Sequence, residues 1–133
     1  MVVGAAIVAD GRLLAARRTT PSTAAGRWEF PGGKVEAGES DAEALVREVT
    51  EELGVRIHVD RWLRGEAPIA QRYVLRVALA TLVADQPEPT SIEHDLLRWL
   101  DAGDLDGVAW LEPDLPFLDE LRAILAALPR LAP

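Results

Sequence analysis

The chain has 133 residues, 49% of them hydrophobic and 27% charged, as expected of one ordinary globular domain. Its formal net charge is −8 and its arginines are scattered, so no basic patch offers a surface to a nucleic acid polymer. No apolar run is long enough to span a membrane, and the absence of cysteine excludes disulfide and thiolate chemistry and is compatible with a cytoplasmic location.

The opening MVVGAAIVAD is apolar but lacks a basic leader region, and it reads as a strand. Two apolar runs flank Asp10-Gly11 in VVGAAIVADGRLLAARR, a strong hairpin signal. TTPSTAAG is a loop, and RWEFPGGK is short and extended until it breaks at Pro31-Gly32-Gly33. A helix is predicted over Asp41–Leu53, with Ser40 as N-cap, Glu43 completing a capping box, and Gly54 ending it. VRIHVDRWLR and RYVLRVALATLVA read as strands, the second long enough for a sheet centre. After the loop QPEPTS, HDLLRWLDA reads as a strand entering a turn. The tail carries a helical stripe at Leu118, Leu121, Ile124, Leu125 and Leu128. Residues 1–133 show no repeat or linker. The order hairpin, helix, strands, helix implies a single α/β layered domain, a mixed β-sheet sandwiched between helices.

The predicted first helix carries five carboxylates and one arginine, Arg47. At 100° per residue, Ala42, Leu45, Val46, Val49 and Leu53 share the core-facing arc. Glu48, Glu51 and Glu52, at i, i+3 and i+4, point together on another. Glu51 and Glu52 also lie at the helix C-terminus, where the macrodipole disfavours negative charge. Two carboxylates about 5 Å apart repel by roughly 3 kcal/mol at an effective dielectric near 20, and by much less in water. The trio is therefore either a solvated acidic face or a set of hard oxygen ligands, of the kind that suits Mg²⁺ with Mn²⁺ as a substitute. Gly32-Gly33 adds unobstructed backbone carbonyls just before the helix. Arg47 is in reach of Glu43 and Glu51 at i±4, and so can orient the trio.

The stretch GKVEAGESDAEALVREVTEELGV resembles the Nudix box: a glycine, five residues, a glutamate, seven residues, then Arg-Glu-apolar-x-Glu-Glu-x-Gly-apolar. Gly33, Glu39, Arg47, Glu48, Val49, Glu51, Glu52, Gly54 and Val55 fill every specified position. GRWEFPGGK, EHDLLRW and PDLPFL resemble the equivalent segments of the MutT-like branch, including its CTP pyrophosphohydrolase relatives. This resemblance implies the Nudix fold and hydrolysis of a nucleoside triphosphate to a monophosphate and pyrophosphate, with water attacking the β-phosphorus. It implies that Glu51, Glu52 and the Gly32 carbonyl hold metal. Glu48 becomes a metal ligand or the base that activates water. Glu93 becomes a carboxylate outside the box that also reaches the metal. Glu39 supports Arg47, and Gly33 and Gly54 are structural.

The candidate substrate-binding residues are Arg18, Phe30, Lys34, Arg72 and Asp114. Arg18 is either a solvated strand end or a phosphate or base contact. Phe30, or Trp28, is either core or a base contact, and Arg72 lies near a position on a strand that lines the family's base pocket. Lys34 is the only lysine. Tyr73 reads more simply as a strand residue than as a ligand contact, and His58 and His94 lack zinc-ligand spacing. Asp114 is either a helix cap or a base-selecting residue. An ionised aspartate only accepts, which suits the exocyclic amine of cytosine, whereas a protonated one donates to a keto oxygen, as in 8-oxo-dGTP. The leading expectation is a (d)CTP or modified-dCTP pyrophosphohydrolase acting in nucleotide pool sanitisation. Alternatives are an 8-oxo-dGTP diphosphatase, a dinucleoside polyphosphate or ADP-ribose hydrolase, and a silent ligand-sensing Nudix domain. Monomer and homodimer both stay open.

Overall fold

A computed structural model describes residues 1–19, 24–91 and 94–128, and the backbone only of Asp95. Strands β1 (Val2–Ala9) and β2 (Arg12–Arg18) form the expected hairpin, with Val8 opposite Leu13 and Ala9 opposite Arg12. Asp10 and Gly11 both take positive φ, 53° and 74°, as a two-residue hairpin turn requires.

Strand β1 joins two groups of strands. Its first half pairs antiparallel with β4 (Gly32–Lys34), and its residues from Val2 to Ile7 pair parallel with β7 (Tyr73–Leu82). Along the other edge of β7 run β5 (Ile57–Trp62) and the short β6 (Ala67–Ile69), both antiparallel. Strand β2 carries β3 (Trp28–Glu29) and β8 (His94–Leu100). The sheet order β3-β2-β1-β7-β5 places β7, the run read as long enough for a sheet centre, inside the sheet beside β1.

Alternation along β1 divides the core. Val3, Ala5 and Ile7 pack against α1 (Asp41–Leu53), whereas Ala6 and Val8 belong to the core shared with α2 (Leu118–Ala127). Helix α1 has the expected ends: Ser40 and Glu43 form the capping box, and Gly54 adopts φ 69° and donates its N–H to the Thr50 carbonyl. Its buried residues are Ala44, Leu45, Val49 and Leu53. Ala44 is buried in place of the expected Ala42, which stays half-buried in the first turn of the helix. Burying each of its larger side chains stabilises by about 1.5–3 kcal/mol, which outweighs the unfavourable charge at the helix end.

The tail departs further from expectation. Glu112–Phe117 is a 3-10 segment with Pro113 at its start and Pro116 inside it, and α2 begins only at Leu118. Pro116 lacks the N–H that a continuous α-helix from Glu112 would bond to the Glu112 carbonyl. Leu118, Leu121 and Leu125 are buried, while Leu128 is the exposed C-cap. Among the described residues no helix is long and apolar enough to cross a membrane.

Candidate active site

Strand β4 fits closely against β1, with Val3 opposite Gly33 and Gly4 opposite Gly32. A side chain on Gly32 would run into the Val3 carbonyl oxygen, with Gly4 Cα 2.8 Å away. A side chain on Gly33 would occupy the place of the Glu48 carboxyl group, whose oxygens lie 2.6 and 2.7 Å from the Cβ position. The two glycines are thus required on opposite sides of β4, one by the neighbouring backbone and one by the carboxylate of the helix packed above it.

Arg47 organises the acidic helix. Its Nε donates to Glu39 Oε2 at 2.7 Å and its Nη2 to Glu39 Oε1 at 2.9 Å, a bidentate pair. Its Nη1 reaches Glu48 Oε1 at 3.0 Å and Glu51 Oε2 at 3.3 Å, and Nη2 also donates to the Lys34 carbonyl at 3.2 Å. One guanidinium therefore fastens the chain after β4 to the middle of α1. The Arg47 hydrogen bond, with a second from the Glu36 N–H, holds the Glu39 carboxyl down to about 2. The same partners push the Arg47 pKa further up. The expected Arg47–Glu43 pair is corrected here. Glu43 Oε1 takes the Ser40 N–H at 2.9 Å, so the capping box claims it, and Glu39 fills the place that i−4 spacing had given to Glu43.

Beside this cluster opens a cavity of about 1010 Å³. Gly32, Gly33, Lys34 and Glu52 contribute to its lining, and so do Phe30, Leu75, Leu111, Arg18 and Asp114. The Lys34 ammonium lies 4.7 Å from the centre of the Tyr73 ring, within cation–π range. Phe30 is backed by Trp110 at 5.1 Å and Phe117 at 6.5 Å between ring centres, so its ring is held from behind. Arg18 Nη1 donates to Glu29 Oε1 at 3.1 Å, and His94 Nε2 lies 2.8 Å from Glu29 Oε2.

Asp114 is 5% exposed, and its Oδ2 has no hydrogen-bond partner. Burial raises its pKa well above the usual carboxylate range, and the Glu29 charge adds to this. The Phe30 N–H and the Arg18 charge act in the opposite direction. Asp114 does not cap a helix. Its backbone N–H bonds to the Leu111 carbonyl within the 3-10 segment, and its side chain turns to Phe30 and the cavity.

Of the sequence candidates, Arg18, Phe30, Lys34 and Asp114 meet in this cavity with Gly32, Gly33 and Glu52. Glu48 sits behind Gly33, and Glu51 is turned outward with its side chain 59% exposed. Arg72 does not join them. It lies in the exposed turn Ala70–Arg72 between β6 and β7, because β7 begins one residue later. Tyr73 lines the cavity in its place. Glu93 lies outside the described residues. Glu29 and His94 were missed: they are 65 residues apart, and nothing in a single sequence marks such a pair.

Glu48, Glu51, Glu52 and the Gly32 carbonyl are the groups that could hold a cation. All are hard oxygen donors, which fit Mg²⁺ and give no soft or imidazole site. The space above Gly33, which a Cβ would fill, is kept for one of these carboxylates. Among the described residues no three Asp, Glu or His side chains converge as a ready-made cation cluster. Glu48 and Glu51 are instead drawn to Arg47.

Comparison with known proteins agrees with the resemblance read from the box. The family model described as NUDIX domain matches residues 1–123. The chain is 36% identical over 128 residues to a putative 8-oxo-dGTP diphosphatase 2 of Mycobacterium tuberculosis, covering 94% of this chain and 89% of the relative. It is 34% identical over 128 residues to a CTP pyrophosphohydrolase of Escherichia coli K12, covering 96% and 95%. The solution structure of the E. coli ORF135 protein superposes with a TM-score of 0.78 at 34% identity, covering 96% of this chain and 91% of that one.

Proposed function

The chain belongs to the Nudix family, and on that premise we propose that it is a MutT-like hydrolase converting a (d)NTP and water to the (d)NMP and pyrophosphate. The observation that carries the reading is a single cavity lined both by Gly32, Gly33, Lys34 and Glu52 and by the aromatic and acidic pair Phe30 and Asp114. A triphosphate and a base need such neighbouring environments, one of cations and oxygen donors, the other of an aromatic face with few polar groups.

In this reading Glu48, Glu51, Glu52 and the Gly32 carbonyl hold Mg²⁺, with Glu93 as a further ligand. When bound, the ion supplies neutralisation and polarisation of the phosphate oxygens. Arg47 holds Glu48 and Glu51 in place through its Nη1. Glu48, whose side chain is 18% exposed against 59% for Glu51, is the carboxylate best held to receive the proton of the attacking water. Lys34 and Arg18 offer charge to the phosphates, and Phe30, stiffened by Trp110 and Phe117, offers a face for the base to stack on. Residues 1–133 act as one domain.

The base is chosen at Asp114. The first reading is cytosine, whose amine an ionised Asp114 would accept. A second reading, an oxidised guanine, is favoured by a specific observation. Burial raises the Asp114 pKa, and its unpartnered Oδ2, once protonated, donates to a keto oxygen. The two relatives' names span the same choice, since one is called a CTP pyrophosphohydrolase and the other an 8-oxo-dGTP diphosphatase.

The test is a product assay on a panel of nucleoside triphosphates, ADP-ribose and diadenosine polyphosphates, with Mg²⁺ in ¹⁸O water. Monophosphate and ¹⁸O-labelled pyrophosphate from a triphosphate are expected. Label in the monophosphate, orthophosphate as first product, or turnover only of ADP-ribose or dinucleotides would overturn the reading.

A further inference from the structure

Outside the cavity, on the α1 face of the sheet, Arg76 Nη1 donates to Asp41 Oδ2 at 2.6 Å, and its guanidinium lies 4.3 Å from the centre of the Trp62 ring. Asp41 is the first residue of α1. It is not needed as a cap, because Ser40 and Glu43 already complete the capping box. We propose that Arg76 is a positioning residue for the acidic helix: by holding Asp41 it fixes where α1 sits along its axis, and so seats Glu48 on Gly33.

The sheet register carries the inference. Val3 pairs with Arg76 on β7 and with Gly33 on β4, so Arg76, Val3 and Gly33 form one row across three strands. Residues directly opposite in a sheet face the same side, and Val3 faces α1. The helix therefore meets this row twice: Asp41 at Arg76, and Glu48 at Gly33. The two spans agree. Two strand spacings are about 9.6 Å. Asp41 and Glu48 lie two helical turns apart, about 10.5 Å. A slip of one residue along the axis is about 1.5 Å, enough to lift the Glu48 carboxyl off its glycine. Trp62, opposite Ala78 on the neighbouring strand, presents its ring to the guanidinium and limits the directions in which Arg76 can point. Leu45 lies between the two attachments and Val49 just past the second, both in the core, but apolar packing is non-directional and fixes axial register less sharply than an ion pair with one geometry.

The inference rests on the reading of Glu48 as part of the hydrolytic site, and the experiment separates the two. The backbone amide resonance of Gly33, the Mn²⁺ dissociation constant without nucleotide, and the melting temperature are measured for wild type, Arg76→Gln, Asp41→Asn and Arg76→Lys. Arg122→Gln, which breaks ion pairs to Asp106 and Asp119 far from the row, is the control for general loosening. Arg76→Gln and Asp41→Asn are expected to shift the Gly33 amide and weaken Mn²⁺ binding by roughly tenfold, as loss of a supporting contact typically does. Arg76→Lys should recover part of both, and Arg122→Gln should change neither. An unchanged Gly33 amide and Mn²⁺ affinity, with only the melting temperature lowered, would reduce the pair to ordinary scaffolding and overturn the inference. If wild type binds no Mn²⁺, the hydrolytic reading fails, and the Gly33 resonance alone still decides whether Arg76 seats Glu48.

Discussion

The carboxyl group of Glu48 lies where a side chain on Gly33 would be, with its oxygens 2.6 and 2.7 Å from the Cβ position. The glycine is thus part of the carboxylate's seat. Gly33→Ala should displace Glu48 and cost about 1–3 kcal/mol of stability, the usual range for overpacking. Its larger effect should be on Mg²⁺ binding and turnover. Titration calorimetry with Mg²⁺ beside chemical denaturation checks this, and wild-type Mg²⁺ affinity in Gly33→Ala would contradict it.

Glu39 gives a pH-dependent prediction. Arg47 holds its carboxyl down to about 2 from an ordinary value of 4.5. A carboxyl depressed in the folded state adds stability that is complete above the unfolded value and lost as pH falls through the folded one. Glu39→Gln should therefore be less stable than wild type at pH 7, and the gap should close between about pH 4.5 and 2. Urea denaturation across that range measures it. A gap independent of pH would mean that shape, not charge, is what the variant loses.

The acidic helix shows what was legible from sequence. Its capping box and terminal glycine are local patterns, set by chemistry within a few residues, and both are found as read. Spacing rightly gave Glu51 as one partner of Arg47, but its tightest partner was not legible in the residues alone. Spacing along a helix nominates Glu43, but Ser40 competes for Glu43. The segment between Lys34 and Glu39 folds back to offer Glu39, which only the family resemblance pointed to. Asp114 was read near the start of a helix, yet two prolines hold that turn in 3-10 form and its side chain faces the cavity. The Glu29–His94 pair and the row Arg76–Val3–Gly33 arise from strand register, which no single segment encodes.

Glu52 lines the cavity from α1, and its removal tests the metal reading directly. Glu52→Gln keeps the shape and removes one ligand charge. Turnover should fall about a hundredfold or more, the scale seen when one preorganised electrostatic group is lost. The circular dichroism spectrum should stay unchanged. In wild type, Mg²⁺ with nucleotide should raise the melting temperature, since a ligand at a hundredfold excess over Kd adds about 2.7 kcal/mol. Wild-type activity in EDTA, or in Glu52→Gln, would remove the metal assignment.

Asp114 gives a prediction about substrate choice. Its Oδ2 is buried without a partner, and burial together with the Glu29 charge raises its pKa. A carboxyl raised in the folded state favours folding most when protonated. Stability should therefore fall as pH rises from the unfolded value, 3.8, toward the raised folded value. Asp114→Asn should flatten that slope. Base preference should follow the same proton. Below the folded pKa the neutral acid donates to a keto oxygen, favouring 8-oxo-dGTP. As the pH rises through that pKa the carboxylate only accepts, favouring the amine of dCTP. Leaving a buried group unpaired with the wrong base costs about 1–3 kcal/mol, so the kcat/KM ratio of dCTP to 8-oxo-dGTP should climb roughly tenfold to a hundredfold across the transition. Asparagine both donates and accepts and does not titrate, so Asp114→Asn should hold the ratio constant. The measurement is kcat/KM for both nucleotides at a series of pH values in both proteins. A wild-type ratio that ignores pH, or one that Asp114→Asn leaves in place, would show that the base is chosen elsewhere in the cavity.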